Sequence, residues 1–290
     1  MPDFYSTGLA FVDEMLSGGL QPGTLTVVRG ATGIGKTQLG LSFCNAGLAQ
    51  EGQRGIVLDM AARGDSQQHA EYADRLFGWQ FCDGEVDLGR VWEDDFRRVD
   101  LCNPFGYVGK RVLRDELNED QWRAWKLQLN ESLKKLLGHH YYHFVHGVRR
   151  IVVDGIEPFS SARDSIQIEL FEYILHQIVR KKHDWVARDL FMGEWLRVRE
   201  QVAAHPYDAS EIACMSLQTT PETELHQLIS AQTQGDDLVA NATTVILLGR
   251  LPGADAVERG LFVLKHRGRP CSDDIVRFTI TAAGLQLAQP

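Results

Sequence analysis

The apolar residues of this 290-residue chain fall into short continuous runs and into longer runs at helical spacing. The short runs predict buried strands, at 25–28, 54–60, 147–156, 211–219 and 239–248, with a hairpin over 261–270 and 275–281. The spaced runs predict helices, at about 66–77, 118–146 and 164–204, the last divided near His183 and Gly193. Strands and helices therefore alternate through most of the chain.

The first strand runs directly into a glycine-rich loop, Gly30-Ala-Thr-Gly-Ile-Gly-Lys-Thr37, which fits the pattern G-x-x-x-x-G-K-[ST]. Apolar residues at Leu39, Leu41 and Phe43 then predict a helix. Strand, loop and helix in this order are the setting that a phosphate-binding loop requires. The alternative is a glycine-rich turn with an incidental lysine, and the flanking elements argue against it.

Each residue type in the loop has a chemical reason. The glycines allow backbone angles and a close approach that a Cβ atom would prevent, so that N–H groups can converge on phosphate oxygens. The Lys36 ammonium can reach the β and γ phosphates, and the Thr37 hydroxyl can hold Mg²⁺. The predicted nucleotide-binding residues are Gly30, Ala31, Thr32, Gly33, Ile34, Gly35, Lys36 and Thr37.

A second metal-binding candidate is Asp154, at the predicted end of the strand within 147–156. A carboxylate at this place, the Walker B position, can order Mg²⁺ through a coordinated water. Aspartates at strand ends are common, so the position downstream of a phosphate-binding loop is what favours the functional interpretation. Thr37 and Asp154 are therefore the predicted metal ligands, and ATP and Mg²⁺ are the predicted cofactors.

Composition and charge narrow the class of protein. With 44% hydrophobic and 24% charged residues, the chain is typical of soluble globular proteins, and no apolar run reaches the length of a membrane span. The N-terminus lacks the features of a signal peptide, and the five cysteines show no C-x-x-C spacing, which together predict a reduced, cytoplasmic protein. A net charge of −9 argues against a dedicated nucleic-acid binder but is compatible with a local basic patch.

The run His139-His-Tyr-Tyr-His-Phe-Val-His146 places His139 and His143 one helical turn apart, as two metal ligands can be. No acidic or cysteine co-ligand stands at a recognisable spacing, and the motif H-E-x-x-H is absent. We therefore expect a solvated helix end here, and no metal site beyond Mg²⁺ with nucleotide.

Two motifs resemble a known family. The segment T-G-L-A-F-V-D-E-M-L-S-G-G-L, from Thr7 to Leu20, leads into the loop and resembles the opening of the KaiC and RadA branch of the RecA-like ATPases. Lys265-His-Arg-Gly268, with the strand Ile275-Val-Arg-Phe-Thr-Ile-Thr281, resembles the C-terminal signature of KaiC-like domains. The resemblance covers roughly residues 5–77, 147–160 and 210–283.

This resemblance implies a single RecA-like α/β domain over residues 1–290. Its core would be a mostly parallel twisted sheet flanked by helices, with the site at the carboxyl ends of the strands. Two regions, at about 78–146 and 182–208, do not follow the family pattern. We interpret them as divergent or inserted helical regions.

The resemblance also assigns catalytic roles. Lys265 and Arg267 would reach across a subunit interface to the nucleotide of the neighbouring subunit; the alternative is an exposed basic strand edge. Residues two apart on a strand share a face, so both cations can address one anion. Gln218 or Thr219 would sense the γ-phosphate.

The catalytic carboxylates of the family are missing from their expected place. The glutamate that activates the attacking water would lie just after the strand over 54–60, where this chain has Ala61 and Ala62. Asp59 or Asp65 could substitute for it, but strand alternation turns Asp59 to a different face from the residues that follow. We therefore expect an ATPase that is slow or inactive.

Three hypotheses for the function follow. The first is an ATP-binding RecA/KaiC-like regulator or scaffold that forms a nucleotide-dependent homo-oligomer, a ring or filament such as a hexamer. The second is a RadA/RecA-type DNA-dependent ATPase in repair or recombination, which the acidic charge and the expected absence of a helix-hairpin-helix module disfavour. The third is an adaptor not controlled by nucleotide. Its inserted regions would bind a protein partner through Trp122, Trp125, Trp185 and Trp195. We expect no membrane partner.

Overall fold

The computed structural model describes residues 2–61, 68–82, 84–93, 97–105, 117–157, 166–231, 237–253 and 257–288. Within these ranges, nine strands form one sheet in the order β3-β2-β4-β5-β1-β6-β7-β8-β9. The strands are β1 (Leu25–Gly30), β2 (Ile56–Asp59), β3 (Leu101–Cys102), β4 (Arg150–Ile156), β5 (Ala213–Thr219), β6 (Thr244–Pro252), β7 (Val257–His266), β8 (Val276–Thr281) and β9 (Gly284–Leu287).

The sheet is parallel from β3 to β6 and antiparallel from β6 to β9. Strand β1 lies between β5 and β6, and β5 separates it from β4. The carboxyl ends of the parallel strands therefore meet at one edge, which brings Gly30, Asp59, Asp154 and Thr219 into one region. The mostly parallel sheet confirms the predicted fold class.

Helices cover both faces of this sheet, which is why its strands appear in the sequence as continuous apolar runs. Val28 and Val152 pack in the same core as Leu39 of the helix after the loop, whereas Val27 and Val153 pack on the opposite face. The helices are α1 (Ala10–Met15), α2 (Lys36–Gln50), α3 (His69–Phe77), α4 (Glu119–Val145), α5 (Ile166–Ile174), α6 (His183–Phe191), α7 (Trp195–Ala204), α8 (Leu225–Ala231) and α9 (Asp237–Asn241). Among the described helices, none has the length and apolar character needed to cross a bilayer.

The predicted strand over 239–248 is wrong at its start, because the chain remains helical to the end of α9 and β6 begins only at Thr244. The Thr243 N–H donates to the carbonyl of Leu25, the first residue of β1. Residues before Thr243 would extend past the end of β1, so they have no strand of this sheet to pair with.

Strand β4 does not end at Asp154 as predicted but continues to Ile156. The register against β5 shifts between Val153 and Ile156. Gly155, within the shift, has a φ of +82°, a left-handed conformation that a residue with a Cβ atom rarely adopts. The irregularity directly follows the candidate metal ligand.

The expected solvated helix end at His139–His146 is also wrong. His139, His140 and His143 are buried, since this end of α4 packs with the central core below the sheet. Burial lowers the pKa of His140 to about 4 and that of His143 to about 3. Each is neutral at pH 7, and its Nδ1 lies 2.7 Å from the carbonyl oxygen four residues earlier. No group of three or more His, Cys, Asp or Glu side chains in the described ranges could hold a metal ion.

Candidate functional site

The phosphate-binding loop connects β1 to α2, which begins at Lys36. Gly35 is the N-cap of α2, with a φ of +116°, and a Cβ atom there would lie 3.3 Å from the side chain of Ile280. Both the backbone angle and the space therefore favour glycine. The N-terminus of this 15-residue helix faces the loop, and its free N–H groups favour an anion.

A cavity of about 260 Å³ lies beside the loop. Its walls come from the loop and from the carboxyl ends of two parallel strands, together with α3 and β8, as expected for an open α/β sheet. The lining residues are Thr32, Gly33, Gly35, Lys36, Thr37, Gln38, Gln68, Tyr72, Asp154, Thr219 and Ile280.

Lys36 folds back onto the loop that precedes it. Its Nζ donates to the carbonyls of Gly30 at 3.0 Å and Ala31 at 2.9 Å. Burial lowers the pKa of Lys36 to about 8, although the nearby Asp154 carboxylate opposes the shift. The side chain is thus mostly protonated at pH 7, and a phosphate oxygen would be a stronger, charge-assisted partner than either carbonyl.

The two predicted metal ligands are in contact, although 117 residues separate them. The Thr37 hydroxyl donates to Oδ2 of Asp154 at 2.7 Å, and the Gly155 N–H donates to Oδ1 at 2.7 Å. Burial alone would raise the pKa of Asp154, but these bonds and the neighbouring His69 outweigh it and lower the pKa. A hydroxyl and an ionised carboxylate are oxygen ligands of the kind that Mg²⁺ takes, so the donor set fits this metal.

His69 belongs to the same cluster, although no motif or spacing in the sequence indicated it. Its Nε2 donates to Oδ2 of Asp154 at 3.0 Å, and its Nδ1 lies 3.8 Å from Oδ2 of Asp59. Burial would lower the pKa of His69, but the hydrogen bond to Asp154 and the two carboxylate charges raise it. His69 thus lies between two carboxylates that are side by side on β2 and β4.

Asp59, the predicted substitute for the catalytic glutamate, is fully buried. Its Oδ1 accepts the N–H of Ala61 at 2.9 Å, so one carboxylate oxygen closes the turn after β2 while the other faces His69. Asp59 does not line the cavity formed by the described residues. Ala62 and Asp65 lie outside the described residues.

Of the two predicted phosphate sensors, Thr219 lines the cavity. Gln218 precedes it on β5, and strand alternation turns its side chain to the opposite face of the sheet. Gln218 is only 1% exposed, and its amide oxygen and nitrogen have no hydrogen-bond partner among the described residues.

Lys265 and Arg267, the predicted trans cations, meet at the last turn of α9. The Lys265 Nζ donates to the carbonyls of Val239 at 2.8 Å and Ala240 at 3.0 Å, and the Arg267 Nη2 donates to Ala240 at 2.7 Å. They do not line the described cavity of their own chain. Partial burial and the neighbouring Arg267 lower the pKa of Lys265. Arg269 differs, because its guanidinium stacks on Phe4 at 4.1 Å.

The region predicted as an insertion, 182–208, carries an exposed aromatic cluster. The guanidinium carbon of Arg188 lies 5.0 Å from the ring centre of Trp185 and 4.8 Å from that of Trp195. Trp185 is 51% exposed, and Met192 and Leu196 nearby are more exposed still. Tryptophan, arginine and methionine are enriched at protein interfaces.

A known protein family matches the N-terminal part of the chain. Residues 5–91 match the KaiC family of ATPases. A solved structure, a KaiC-like protein from the hyperthermophilic archaeon Pyrococcus horikoshii OT3, aligns over 98% of both chains at 16% identity with a TM-score of 0.49.

A curated relative, phosphoribosylaminoimidazole-succinocarboxamide synthase from Phenylobacterium zucineum (strain HLK1), is 34% identical over 58 residues. The match covers 20% of this chain and 18% of that enzyme. The family match, by contrast, spans the opening motif, the phosphate-binding loop, α2, β2 and α3. Over residues 5–91 the chain is thus similar to the KaiC family of ATPases.

Proposed function

We propose that the protein binds ATP with Mg²⁺ at the loop from Gly30 to Thr37 and acts as a nucleotide-dependent oligomeric regulator or scaffold. It hydrolyses ATP slowly or not at all. The observation that carries the proposal is an asymmetry within one site: the residues that would hold phosphate and metal are assembled, whereas Ala61 stands where the water-activating carboxylate is expected.

Three contacts support nucleotide binding. The Lys36 ammonium is held at the loop by two carbonyls that a phosphate would replace. The Thr37 hydroxyl lies 2.7 Å from Oδ2 of Asp154. A hydroxyl and an ionised carboxylate are both oxygen ligands of the kind that Mg²⁺ takes. Thr37 and Asp154 would hold Mg²⁺ with the nucleotide, and the ion would supply positive charge that offsets the charge of the phosphates. The protein's part is to fix the phosphates with the loop N–H groups and to hold the metal with these two side chains.

Weak hydrolysis is expected because the candidate base, Asp59, is already held by contacts within the protein. A general base must come within hydrogen-bond reach of the water that it activates. The Asp59 carboxylate is buried, bonded to the Ala61 N–H and close to His69. It would have to break these contacts to act, so we assign Asp59 at most a slow reaction.

Lys265 and Arg267 would complete the site of a neighbouring subunit. In the single chain their hydrogen-bond acceptors are neutral carbonyls at the end of α9, and hydrogen bonds to an anion are stronger. Exchange of these carbonyls for a phosphate would tie assembly to the bound nucleotide. The Trp185–Arg188–Trp195 cluster would bind the protein partner of such an assembly.

Oligomer mass measured by light scattering with ATP, with ADP and without nucleotide tests the regulatory role. We expect ATP to enlarge the wild-type assembly and to leave Lys36→Ala unchanged. Arg267→Ala should reduce the ATP-dependent mass, and Arg269→Ala is the matched control because that guanidinium is held on Phe4. An assembly with the same mass in all three states would contradict nucleotide control.

Single-turnover phosphate release tests the catalytic part. Release that is lost in Asp59→Ala but kept in Asp65→Ala would identify Asp59 as the substitute base. Release no faster than the protein-free background would leave a binding switch. Rapid, DNA-stimulated release with salt-dependent single-strand binding would instead favour the DNA-dependent ATPase.

A further inference from the structure

A second cavity, of about 610 Å³, lies at the β3 edge of the sheet, against α4. It shares no lining residue with the cavity beside the phosphate-binding loop. Its size is within the range of small-molecule sites, roughly 300–1,000 Å³. Much of the wall is apolar, contributed by Val86, Leu88, Leu101, Phe105 and Leu136.

The described lining residues of this cavity include one cation and one carboxylate, Lys135 and Glu85. The Lys135 Nζ is 2.7 Å from Oε1 of Glu85, but both side chains are mostly exposed, at 70% and 77%. Such exposed pairs are weak, about 0.2–1 kcal/mol, so a ligand can replace Glu85. The guanidinium of Arg97 reaches within 3.9 Å of the position that a Cβ atom of Gly84 would occupy, at the same rim.

The buried part of the wall includes a polar side chain. His139 is only 5% exposed, and its Nε2 has no hydrogen-bond partner within the described ranges. Burial and the neighbouring His143 and His140 hold the pKa of His139 well below its usual value, so the ring is neutral. A neutral imidazole in an apolar wall tolerates a neutral ligand body, and it leaves recognition of charge to the rim.

We propose that this cavity binds a small amphipathic anion, with its apolar body between α4 and β3 and its carboxylate, sulfonate or phosphate group at Lys135. The apolar walls account for the body, and Lys135, with Arg97 close to the rim at Gly84, accounts for the charge.

The site is coupled to the nucleotide site through Asn103. This residue lines the cavity, and its Nδ2 donates to the backbone carbonyls of Asp59 at 2.9 Å and Ala61 at 3.0 Å. The same Asp59 faces His69, which bonds Asp154. A ligand that moves Asn103 therefore displaces the turn beside the candidate metal ligand. Coupling is reciprocal, so nucleotide would change the affinity for the anion by the same factor.

The probe for the site is 1-anilinonaphthalene-8-sulfonate, an aromatic body with one sulfonate. Its neutral counterpart is N-phenyl-1-naphthylamine. Both are titrated by fluorescence into the full chain without nucleotide. We expect saturable binding of both probes, and Lys135→Ala should weaken only the sulfonate, by about fivefold. Lys134→Ala, an exposed neighbour on the same helix, is the matched control.

Ser132→Phe fills the cavity from its wall and should abolish saturable binding of both probes, whereas Lys134→Phe adds the same ring on the exposed side. Circular dichroism establishes that each variant is folded. Sulfonate binding that is equal in Ser132→Phe and wild type would place the probe elsewhere and overturn the site. If Lys135→Ala weakened the binding of both probes equally, the proposal that Lys135 recognises an anionic group would be overturned.

Calorimetric titration of ADP with and without saturating sulfonate tests the coupling. We expect the Kd for ADP to change at least about fivefold, a typical coupling, and the change to disappear in Asn103→Ala and in the more conservative Asn103→Asp. An unchanged Kd in wild type would overturn the coupling. If ADP does not bind at all, the proposed nucleotide function fails, while the probe titrations still decide the second site.

Discussion

Two groups of polar residues at the candidate nucleotide site differ in what their side chains contact. On the phosphate side, Lys36 and Thr37 open a helix and line the cavity, and their partners are two backbone carbonyls and a single carboxylate that ligands can take over. Behind the cavity lining, Asp59 and His69 contact protein groups that remain buried. The side chains that could bind phosphate and metal therefore face the cavity, whereas the nearby carboxylate and histidine are engaged within the protein. Residues suited to hold a nucleotide can thus be assembled in a fold that buries the candidate base.

The largest effect on nucleotide binding is expected from removing the Lys36 ammonium on the phosphate side. Lys36→Ala should raise the Kd for a fluorescent N-methylanthraniloyl ATP by about 100-fold, because charge-assisted hydrogen bonds contribute about 1.5–3 kcal/mol each. Equilibrium fluorescence titration measures it. Lys134→Ala, which removes an exposed ammonium from α4, is the control and should leave the Kd unchanged. A loss below threefold in Lys36→Ala would contradict the assignment of the loop.

His69→Gln tests whether Asp59, His69 and Asp154 form an ion cluster that stabilises the fold. A histidine whose folded-state pKa is raised stabilises the fold below its unfolded value of 6.5, and the stabilisation is lost as the pH rises through the folded-state pKa. Its partner Asp154 has a lowered pKa, so it stays ionised down to its unfolded value of 3.8 and below. We expect the variant to lose about 2 kcal/mol of unfolding free energy near pH 5.5, roughly 30-fold in the unfolding constant, and less at alkaline pH.

Urea unfolding at several pH values, in EDTA and without nucleotide, measures this difference. His176→Gln, on the π-helical turn that follows α5, is the control and should show no such pH profile. A destabilisation by His69→Gln that is constant from pH 5 to pH 9 would show that His69 acts by packing and not by charge.

Thr37→Val tests whether the Thr37 hydroxyl is a ligand of Mg²⁺. The valine keeps the shape of threonine but removes the hydroxyl that contacts Asp154 at 2.7 Å. We expect the Mg²⁺ concentration for half-maximal ATP binding to rise about tenfold, the lower end for groups that order a metal ligand. Thr219→Val, in the same cavity but without a contact to Asp154, should leave the Mg²⁺ requirement in place. An equal shift in both variants would argue against a specific metal role for Thr37.

The phosphate side and the buried Asp59–His69 contacts also differ in how far the sequence predicted them. The phosphate side was predictable because β1, the loop and α2 are contiguous, and each position has a residue type with a local chemical reason. Asp154 could be found as well, since a strand end after a P-loop is a narrow place to look. Its contact with Thr37 follows from the parallel sheet.

His69 was not predictable, because its partner Asp154 is 85 residues away and a single buried histidine leaves no periodic pattern. Adjacent pairing of Asp59 and Asp154 was the available signal, as two neighbouring buried carboxylates need a positive charge. The prediction for the histidine run on α4 was wrong for a related reason. Its polar residues indicated an exposed helix end, but packing against the core below the sheet buries it. Tertiary contacts outweighed composition in both cases.

The smallest effect that we expect comes from returning the missing carboxylate. Ala61→Glu places an acid after β2, where the family resemblance puts the water-activating residue. A positioned base contributes 10²–10⁴-fold, but Ala61 is buried and its carbonyl is held by Asn103, so the new side chain enters a turn shaped for a methyl group. We therefore expect single-turnover phosphate release to rise only about fivefold. Ala61→Gln has the same shape and no basic oxygen. Equal rates in the two variants would mean that a carboxylate at this position is not what limits hydrolysis.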